Sequence, residues 1–259
     1  MDQSGDSRDN AYSIRAVQRV CNILDLIQES PDSFSLNQVA EVTQLPKSSA
    51  YRYMATLESR RYIMRDPISG LFRIGPAFLP LQSRQLSVLA DRVRPHLIRL
   101  RDEFRETFNL GILDGYRVSY VDIVESPHSV RLAARSGDRD QLHCTALGKA
   151  IASSLDEERV RAILAVEGMP RRTPATITDL TAYLGELENA REQGYAVDDC
   201  ENETDGRCIA VPLSGIGLPA AISLSAPAIR LTMDDVPNAA QALADTADLL
   251  VRDITGTSD

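Results

Sequence analysis

The residues best suited to chemistry in this 259-residue chain begin at Lys47. Lys47, Ser48, Ser49, Tyr51 and Arg52 open a segment in which Ala50, Met54 and Leu57 recur at i, i+4 and i+7, the spacing of one buried helical face. At about 100° per residue, Ser48, Arg52, Thr56 and Ser59 then point the opposite way, with Lys47, Ser49 and Tyr51 on the flanks. The outward face is made of hydroxyls, one guanidinium and one phenol, without a carboxylate. Such a face can enter a DNA major groove, where donors read base edges and phosphates repel acids. A plain helical hairpin with a solvated polar face would share this pattern, so the flanking segments decide. Arg65 and Arg73 sit on two short strand-like runs around the turn Asp66-Pro67-Ile68-Ser69-Gly70. A hairpin directly after a recognition helix is a wing, and its arginines can reach the phosphates beside the groove.

A second set of groups could hold a small anion. Thr145 is placed as the N-cap of a helix over Ala146 to Ser153, which leaves the Ala146 and Leu147 amides free to donate to a carboxylate. On the segment Ala221 to Ser225, a period of two puts Ser223 and Ser225 on one strand face and Ile222 and Leu224 on the other. Cys208 begins another strand, with Ala210 and Pro212 on its side, and Asp198 ends a third. Paired serines on a strand are also common as solvated residues, and Cys208 fits a small buried hydrophobe as well as a ligand contact. Lys149 follows Gly148, but no phosphate-loop glycine precedes it at the required spacing, so it reads as a solvated helix residue. His143 reads as structural. No catalytic residue, metal ligand set or cofactor is expected.

The net charge of −9 seems to oppose DNA, but its distribution reverses the point. Between Gln44 and Gly75 the basic residues Lys47, Arg52, Arg60, Arg61, Arg65 and Arg73 face only Glu58 and Asp66, and the remaining chain carries the acidic excess. A basic contact patch joined to an acidic, solubilising domain fits this asymmetry. The polar, acidic stretch Met1 to Asn10 has no apolar core for a signal peptide, and no apolar run is long enough to span a membrane. Cys21, Cys144, Cys200 and Cys208 lack C-x-x-C spacing, so reduced thiols in a cytoplasmic protein are expected.

These groups need elements to position them. Ile14, Val17, Val20, Cys21, Leu24 and Ile27 form an apolar stripe on a first helix, Ser13 to Glu29. Ser35 caps a second helix with Leu36, Val39 and Ala40 inward, and Pro46 suits the first turn of the third. The predicted organisation is a winged helix-turn-helix over 11–75, a linker helix over 76–92 and an effector-binding and oligomerisation domain over 93–256. Strands are predicted at Phe108 to Leu113, Arg117 to Val124, Val130 to Ala133, Tyr195 to Val197, Arg207 to Leu213 and Leu218 to Ser225. Helices are predicted at Val93 to Thr107, Thr145 to Ser153, Asp156 to Ala165, Thr178 to Gln193 and Met233 to Arg252. Hairpin-linked strands interrupted by helices make an α+β domain with an antiparallel sheet. In the linker, Phe78, Leu79, Leu81 and Leu86 exceed what a lone helix should expose, which predicts burial against a second chain and a near-palindromic operator.

Seven segments in order resemble the IclR-type bacterial transcription regulators. They are Ser13-Ile14-Arg15-Ala16-Val17, Leu45 to Arg52, Phe72-Arg73-Ile74-Gly75, Leu142 to Ala150, Gly194 to Asp199, Gly206 to Pro212 and Ala221 to Pro227. The resemblance implies a winged helix on double-stranded DNA, a C-terminal effector domain related to GAF and PAS folds, and a homodimer or homotetramer. It also implies that the Ala146 and Leu147 amides hold a ligand carboxylate and that Asp198, Cys208, Ser223 and Ser225 line the same site. Cys200 and Asp205 depart from the family pattern on the loop over this site, so the ligand does not carry over from a relative. The expected function is a transcription regulator, a repressor of a catabolic operon, controlled by a small organic acid. Two competing readings are a metal or redox sensor built on His143, Cys144, Asp198, Cys200 and Cys208, and an enzyme with Cys144 or Cys208 as nucleophile beside His143.

Overall fold

In the computed structural model, which describes residues 14–30 and 33–256, the chain divides between Gln85 and Leu86 into two compact units. The first holds α1 (Arg15–Glu29), α2 (Leu36–Thr43), α3 (Lys47–Ser59) and a hairpin of β1 (Ile63–Arg65) and β2 (Phe72–Ile74). Ser13, expected to open the first helix, lies outside the described residues. Ser35 caps α2 through a capping box: its Oγ accepts from Gln38 N at 3.3 Å, and Gln38 Oε1 accepts from Ser35 N at 2.8 Å. Gln44 turns the chain with φ +54, donating back to Ala40 and Glu41. Pro46 follows as the N-cap of α3, one position before the first turn where the sequence suggested it.

The core of this unit is Ile23, Leu26, Ile27, Phe34, Val39, Ala50, Met54, Ile63 and Phe72. Ile14 and Val17 of the predicted α1 stripe are 67% and 55% exposed, and Cys21 is also exposed. Helical period reports amphipathicity, but which turns are covered depends on the neighbours, and here Ile23, Leu26 and Ile27 meet them. Phe34 extends the wing as a bridge to Phe72, exchanging two backbone hydrogen bonds of 2.8 Å.

The separate helices expected over 76–92 and from Val93 to Thr107 are one element. After a 3-10 turn, Pro76–Phe78, the helix α4 runs unbroken from Leu79 to Phe104 with Pro95 inside it. An interior proline costs about 3 kcal/mol. Leu89, Val93, Leu97 and Leu100 form one buried stripe on both sides of it, and that burial outweighs the cost.

The second unit is built on six antiparallel strands in the order β5-β4-β3-β8-β7-β6. These are β3 (Thr107–Asp114), β4 (Arg117–Val124), β5 (Arg139–Asp140), β6 (Ala196–Asp199), β7 (Gly206–Pro212) and β8 (Ala220–Pro227). One face carries Phe108, Leu110, Ile209, Val211, Ile222 and Leu224 against α4 from Leu86 onward and against α8 (Val236–Thr255). The other is partly covered by α5 (Ala146–Ser153), α6 (Glu157–Glu167) and α7 (Leu180–Gln193), which pack on Val118, Ala196, Ala210 and Ala221. Val130 to Ala133 is not a strand. Its alternation of apolar and polar residues belongs to a loop pinned by Arg230, which pairs with Glu106 at 2.5 Å and donates to the Val130 carbonyl at 3.0 Å. No helix of the described residues is long and apolar enough to cross a membrane.

Candidate functional site

In the first unit α3 divides as its spacing requires: Ala50 and Met54 are fully buried, while Lys47, Ser48, Tyr51 and Arg52 are exposed and Ser49 is half-buried. Among the described residues these five polar side chains make no hydrogen bond or ion pair, so their donors are free for a partner. Thr56 and Ser59, further along the same face, donate their hydroxyls to the helix carbonyls of Arg52 and Thr56, each at 2.8 Å. The polar contact surface therefore concentrates at the N-terminal end of α3.

The wing arginines have different surroundings. Cross-strand partners share a face, so the pairs Arg65↔Phe72 and Met64↔Arg73 put the two guanidiniums on opposite faces of the hairpin. Arg65 lies over the Phe72 ring at 5.7 Å and donates to the Gly70 carbonyl at 3.3 Å. It braces the turn, whereas Arg73 projects from an exposed position. The turn itself is closed by Asp66, which accepts from Ser69 N at 2.7 Å and Ile68 N at 2.9 Å. The Ser69 amide first, and then that of Ile68, hold this carboxyl below its usual range.

In the second unit the strand register assembles a polar row across the open part of the sheet. The pairings Asp198↔Cys208, Cys208↔Ser225 and Ser225↔Thr107 set four side chains side by side on β6, β7, β8 and β3. The neighbouring row is Ala196, Ala210, Ser223 and Asn109. Asn109 Nδ2 donates to Ser223 Oγ and Ser225 Oγ, both at 3.0 Å. Above the polar row lies a cavity of about 720 Å³, roofed by the loops carrying Arg131 to Ala134 and Asn202 to Asp205.

Asp198, Cys208 and Ser225 line this cavity, whereas Ser223 is buried behind Asn109. Ala146 and Leu147 do not line it. Their amides nonetheless have no acceptor among the described residues, because Thr145 Oγ1 takes the next amide, Gly148 N, at 3.0 Å. Residue 148 must be glycine, since a Cβ there would stand 2.3 Å from the Leu142 carbonyl oxygen. The α5 terminus lies near the cavity wall through Cys144, whose Sγ meets the cavity-lining Asn202 at 3.5 Å.

Burial dominates the electrostatics. Asp198 is 3% exposed, and burial pushes its carboxyl up to about 7, opposed by hydrogen bonds from Glu201 N at 2.7 Å and Asn202 N at 3.2 Å. Burial and then Asp140 push the Tyr120 phenol well above its usual value, and it donates to Asp140 Oδ2 at 3.0 Å. The Cys144 thiol is pushed up to about 12 and that of Cys208 higher still, in both cases by burial first and Asp198 second. Neutral thiols are poor nucleophiles and poor metal ligands. Among the described residues no three His, Cys, Asp or Glu side chains are grouped to hold a metal ion.

Lys149 corrects the sequence reading outright. It is not solvated but wholly buried, with Nζ 2.6 Å from Glu201 Oε1 and 3.2 Å from Glu186 Oε1. The apolar helix α5 packs against the sheet and buries every one of its residues, so its one charged side chain has to bring partners along. His143 is buried with Nε2 3.0 Å from the Pro170 carbonyl, a structural placement.

Sequence reasoning missed Asn109, Tyr120, Asp140 and Arg131. Asn109 left a trace, as an amide between Phe108 and Leu110 in an otherwise apolar strand. The others left none: Tyr120 and Asp140 reach the cavity from β4 and β5 through strand register, and Arg131 comes from a loop.

Residues 16–67 match the IclR helix-turn-helix domain, and residues 84–252 match the bacterial transcriptional regulator IclR C-terminal domain. The HTH-type transcriptional repressor AllR of Salmonella typhimurium is 32% identical over 242 residues, covering 90% of this chain and 87% of AllR. The crystal structure of the Thermotoga maritima IclR is 28% identical with a TM-score of 0.63, covering 93% of this chain and 99% of that one. An IclR homologue from Microbacterium hydrocarbonoxydans, solved in complex with 4-hydroxybenzoate, shares the fold at 24% identity and a TM-score of 0.61, over 93% of this chain and 99% of its own. Members of this family are DNA-binding transcription regulators rather than enzymes, and some bind small organic effectors. A winged helix with a carboxylate-free recognition face, followed by this antiparallel sheet domain, makes the chain a member of the IclR family of bacterial transcription regulators.

Proposed function

We propose that this regulator represses a catabolic operon from the cytoplasm and releases its operator when a small organic acid enters the sheet cavity. The observation that carries the reading is the cavity of about 720 Å³ floored by Asp198, Cys208 and Ser225, a volume suited to a small molecule. Ser225 offers a hydroxyl at the cavity floor, Ser223 stands behind it against Asn109, and the Ala146 and Leu147 amides at the start of α5, free to suit a carboxylate, lie outside the lining. Lys47, Ser48, Ser49, Tyr51 and Arg52 read the operator, Arg73 serves the backbone from the wing, and Arg65 braces the turn that presents it. AllR, named as a repressor, supports that sign of regulation. Leu79, Leu81 and Val88 are 60%, 58% and 47% exposed on α4, which supports burial against a second copy in a homodimer or homotetramer. A two-fold assembly of this kind matches a near-palindromic operator.

The test begins by recovering operator sequences from fragmented genomic DNA with the full chain. A panel of small carboxylates and sugar acids is then screened for thermal stabilisation and operator release. Ser225→Ala should keep folding and operator binding but weaken the response, at a cost of about 1.5–3 kcal/mol in ligand affinity, and adding Ser223→Ala should change it little further. A wild-type response from Ser225→Ala places the effector elsewhere.

A further inference from the structure

Between Phe108 and Leu113, β3 carries one polar side chain, that of Asn109, which lines the cavity and is 1% exposed. A side-chain amide has two N–H donors and a carbonyl that accepts. Nδ2 matches its two donors to Ser223 Oγ and Ser225 Oγ, each at 3.0 Å, which turns Oδ1 away from β8 and leaves it as the end for the cavity. Oδ1 accepts from no group among the described residues. A buried acceptor without a donor is destabilising, and a ligand that supplies the donor recovers that cost on binding. The same amide settles what Ser225 offers. Its Oγ accepts from Asn109, so its own proton is left to donate, and its register neighbour Cys208 is a thiol that burial keeps protonated and weakly accepting. Ser225 and Asn109 therefore present a donor and an acceptor on two side chains in direct contact. Other hydroxyls of the wall are engaged: Thr107 Oγ1 accepts from Ser126 N at 3.1 Å, and Tyr120 donates to Asp140 at 3.0 Å.

We propose that Asn109 sets the specificity of the effector site and selects an α-hydroxy acid, whose hydroxyl donates to Asn109 Oδ1 while a carboxylate oxygen accepts from Ser225. The proposal rests on the cavity being the effector site. In an α-hydroxy acid the donor and the acceptor sit on adjacent carbons, which matches a complementary pair on adjoining side chains. An α-keto acid offers lone pairs to both, so Asn109 Oδ1 stays unpaired and faces a second acceptor. An unsubstituted acid leaves the same oxygen unpaired without that repulsion. A site built to hydrogen-bond a hydroxyl rejects analogues without one far more strongly than an apolar pocket rejects a changed methylene.

The full chain is titrated by calorimetry with acids that differ only at the α-carbon, both enantiomers of each hydroxy acid included: lactate, pyruvate and propionate; α-hydroxyglutarate, α-ketoglutarate and glutarate; mandelate, phenylglyoxylate and phenylacetate. The expected result is at least one hydroxy acid that binds about tenfold or more tightly than both of its analogues, the scale of one buried acceptor gaining its donor. Asn109→Leu should bring the three members of that series within about twofold of one another, whereas a purely structural loss would weaken all three and keep their ratio. Ser225→Ala should do the latter, weakening each member alike and keeping the preference for the hydroxyl. If Asn109→Leu does not fold, the O-methyl ether of the same hydroxy acid makes the test on the wild type: it keeps the oxygen, loses the donor and should bind no better than the keto acid. Equal affinities across every series, or tighter binding of the keto acids, overturn the role of Asn109, and a loss in Ser225→Ala would still keep the cavity as the effector site. Affinities that neither Asn109→Leu nor Ser225→Ala alters overturn both. Silence from every hydroxy acid overturns the proposal.

Discussion

Replacing Lys149 with methionine keeps most of the side-chain volume and removes one buried charge. The wild-type ammonium is 0% exposed and holds Glu201, itself 6% exposed, at 2.6 Å, with Glu186 at 3.2 Å. Without it, Glu201 would keep a carboxylate in an apolar setting where its Oε2 already lacks a partner. Removing one partner of a buried pair costs about 3–5 kcal/mol. The variant can escape part of this by protonating Glu201, whose pKa burial already raises while Lys149 holds it down. A carboxyl with a folded pKa raised above its unfolded value contributes stability below the unfolded value and loses it as pH rises through the folded one. The gap between wild type and Lys149→Met should therefore be small near pH 5 and approach the full cost near pH 8. Urea denaturation followed by circular dichroism at both pH values reads it directly. Adding Glu201→Gln removes the orphaned charge and should restore most of the loss. A gap below about 1 kcal/mol at both pH values would refute the buried pair.

Two further expectations concern the two sites. Asp198, with its carboxyl pushed up to about 7, binds its proton more tightly in the folded than in the unfolded state, so it costs the wild type stability as pH rises from about 4 through 7. Asp198→Asn keeps an acceptor for the Glu201 and Asn202 amides, and should flatten that slope and gain roughly 1–4 kcal/mol on the wild type at pH 8; parallel curves would contradict the assignment. Arg52→Ala should weaken operator binding by roughly 1–3 kcal/mol and relax base preference, while Lys47→Ala and Arg73→Ala should reduce the salt slope by about one phosphate each. Anisotropy titrations over a range of salt separate the two patterns, and a base-preference change in Arg73→Ala would place the wing in the groove.

The helices and most strands were legible because each depends on a local rule. Ser35, Thr145 and Asp156 all cap the helices they precede, each through a side-chain oxygen that accepts a backbone N–H. The strand from Arg117 to Val124 runs between the limits its pattern gave. Failures came where a non-local partner decides. The break expected before Val93 is absent, because the stripe from Leu89 to Leu100 runs through it and meets a sheet that forms only from later strands. Val130 to Ala133 alternates like a strand, yet Leu132 is spent packing on Gly206, where a Cβ would come within 3.0 Å of it. The site divided along the same line. Period two placed Ser223 with Ser225, and Cys208 with Ala210, on common faces, since alternation is a property of one strand. Register is a property of two. It alone sets Asp198 beside Cys208 and Thr107 beside Ser225, and it separates Ser223 from the cavity by putting Asn109 next to it. Lys149 shows the same limit in its sharpest form. A charge on a helix of alanines, with Ile151 and Leu147 beside it, looks solvated until Glu201 arrives from a loop 52 residues away. Once that loop is fixed, the same Glu201 donates its amide to Asp198, so the ion pair that anchors the loop also sets the carboxylate at the cavity floor.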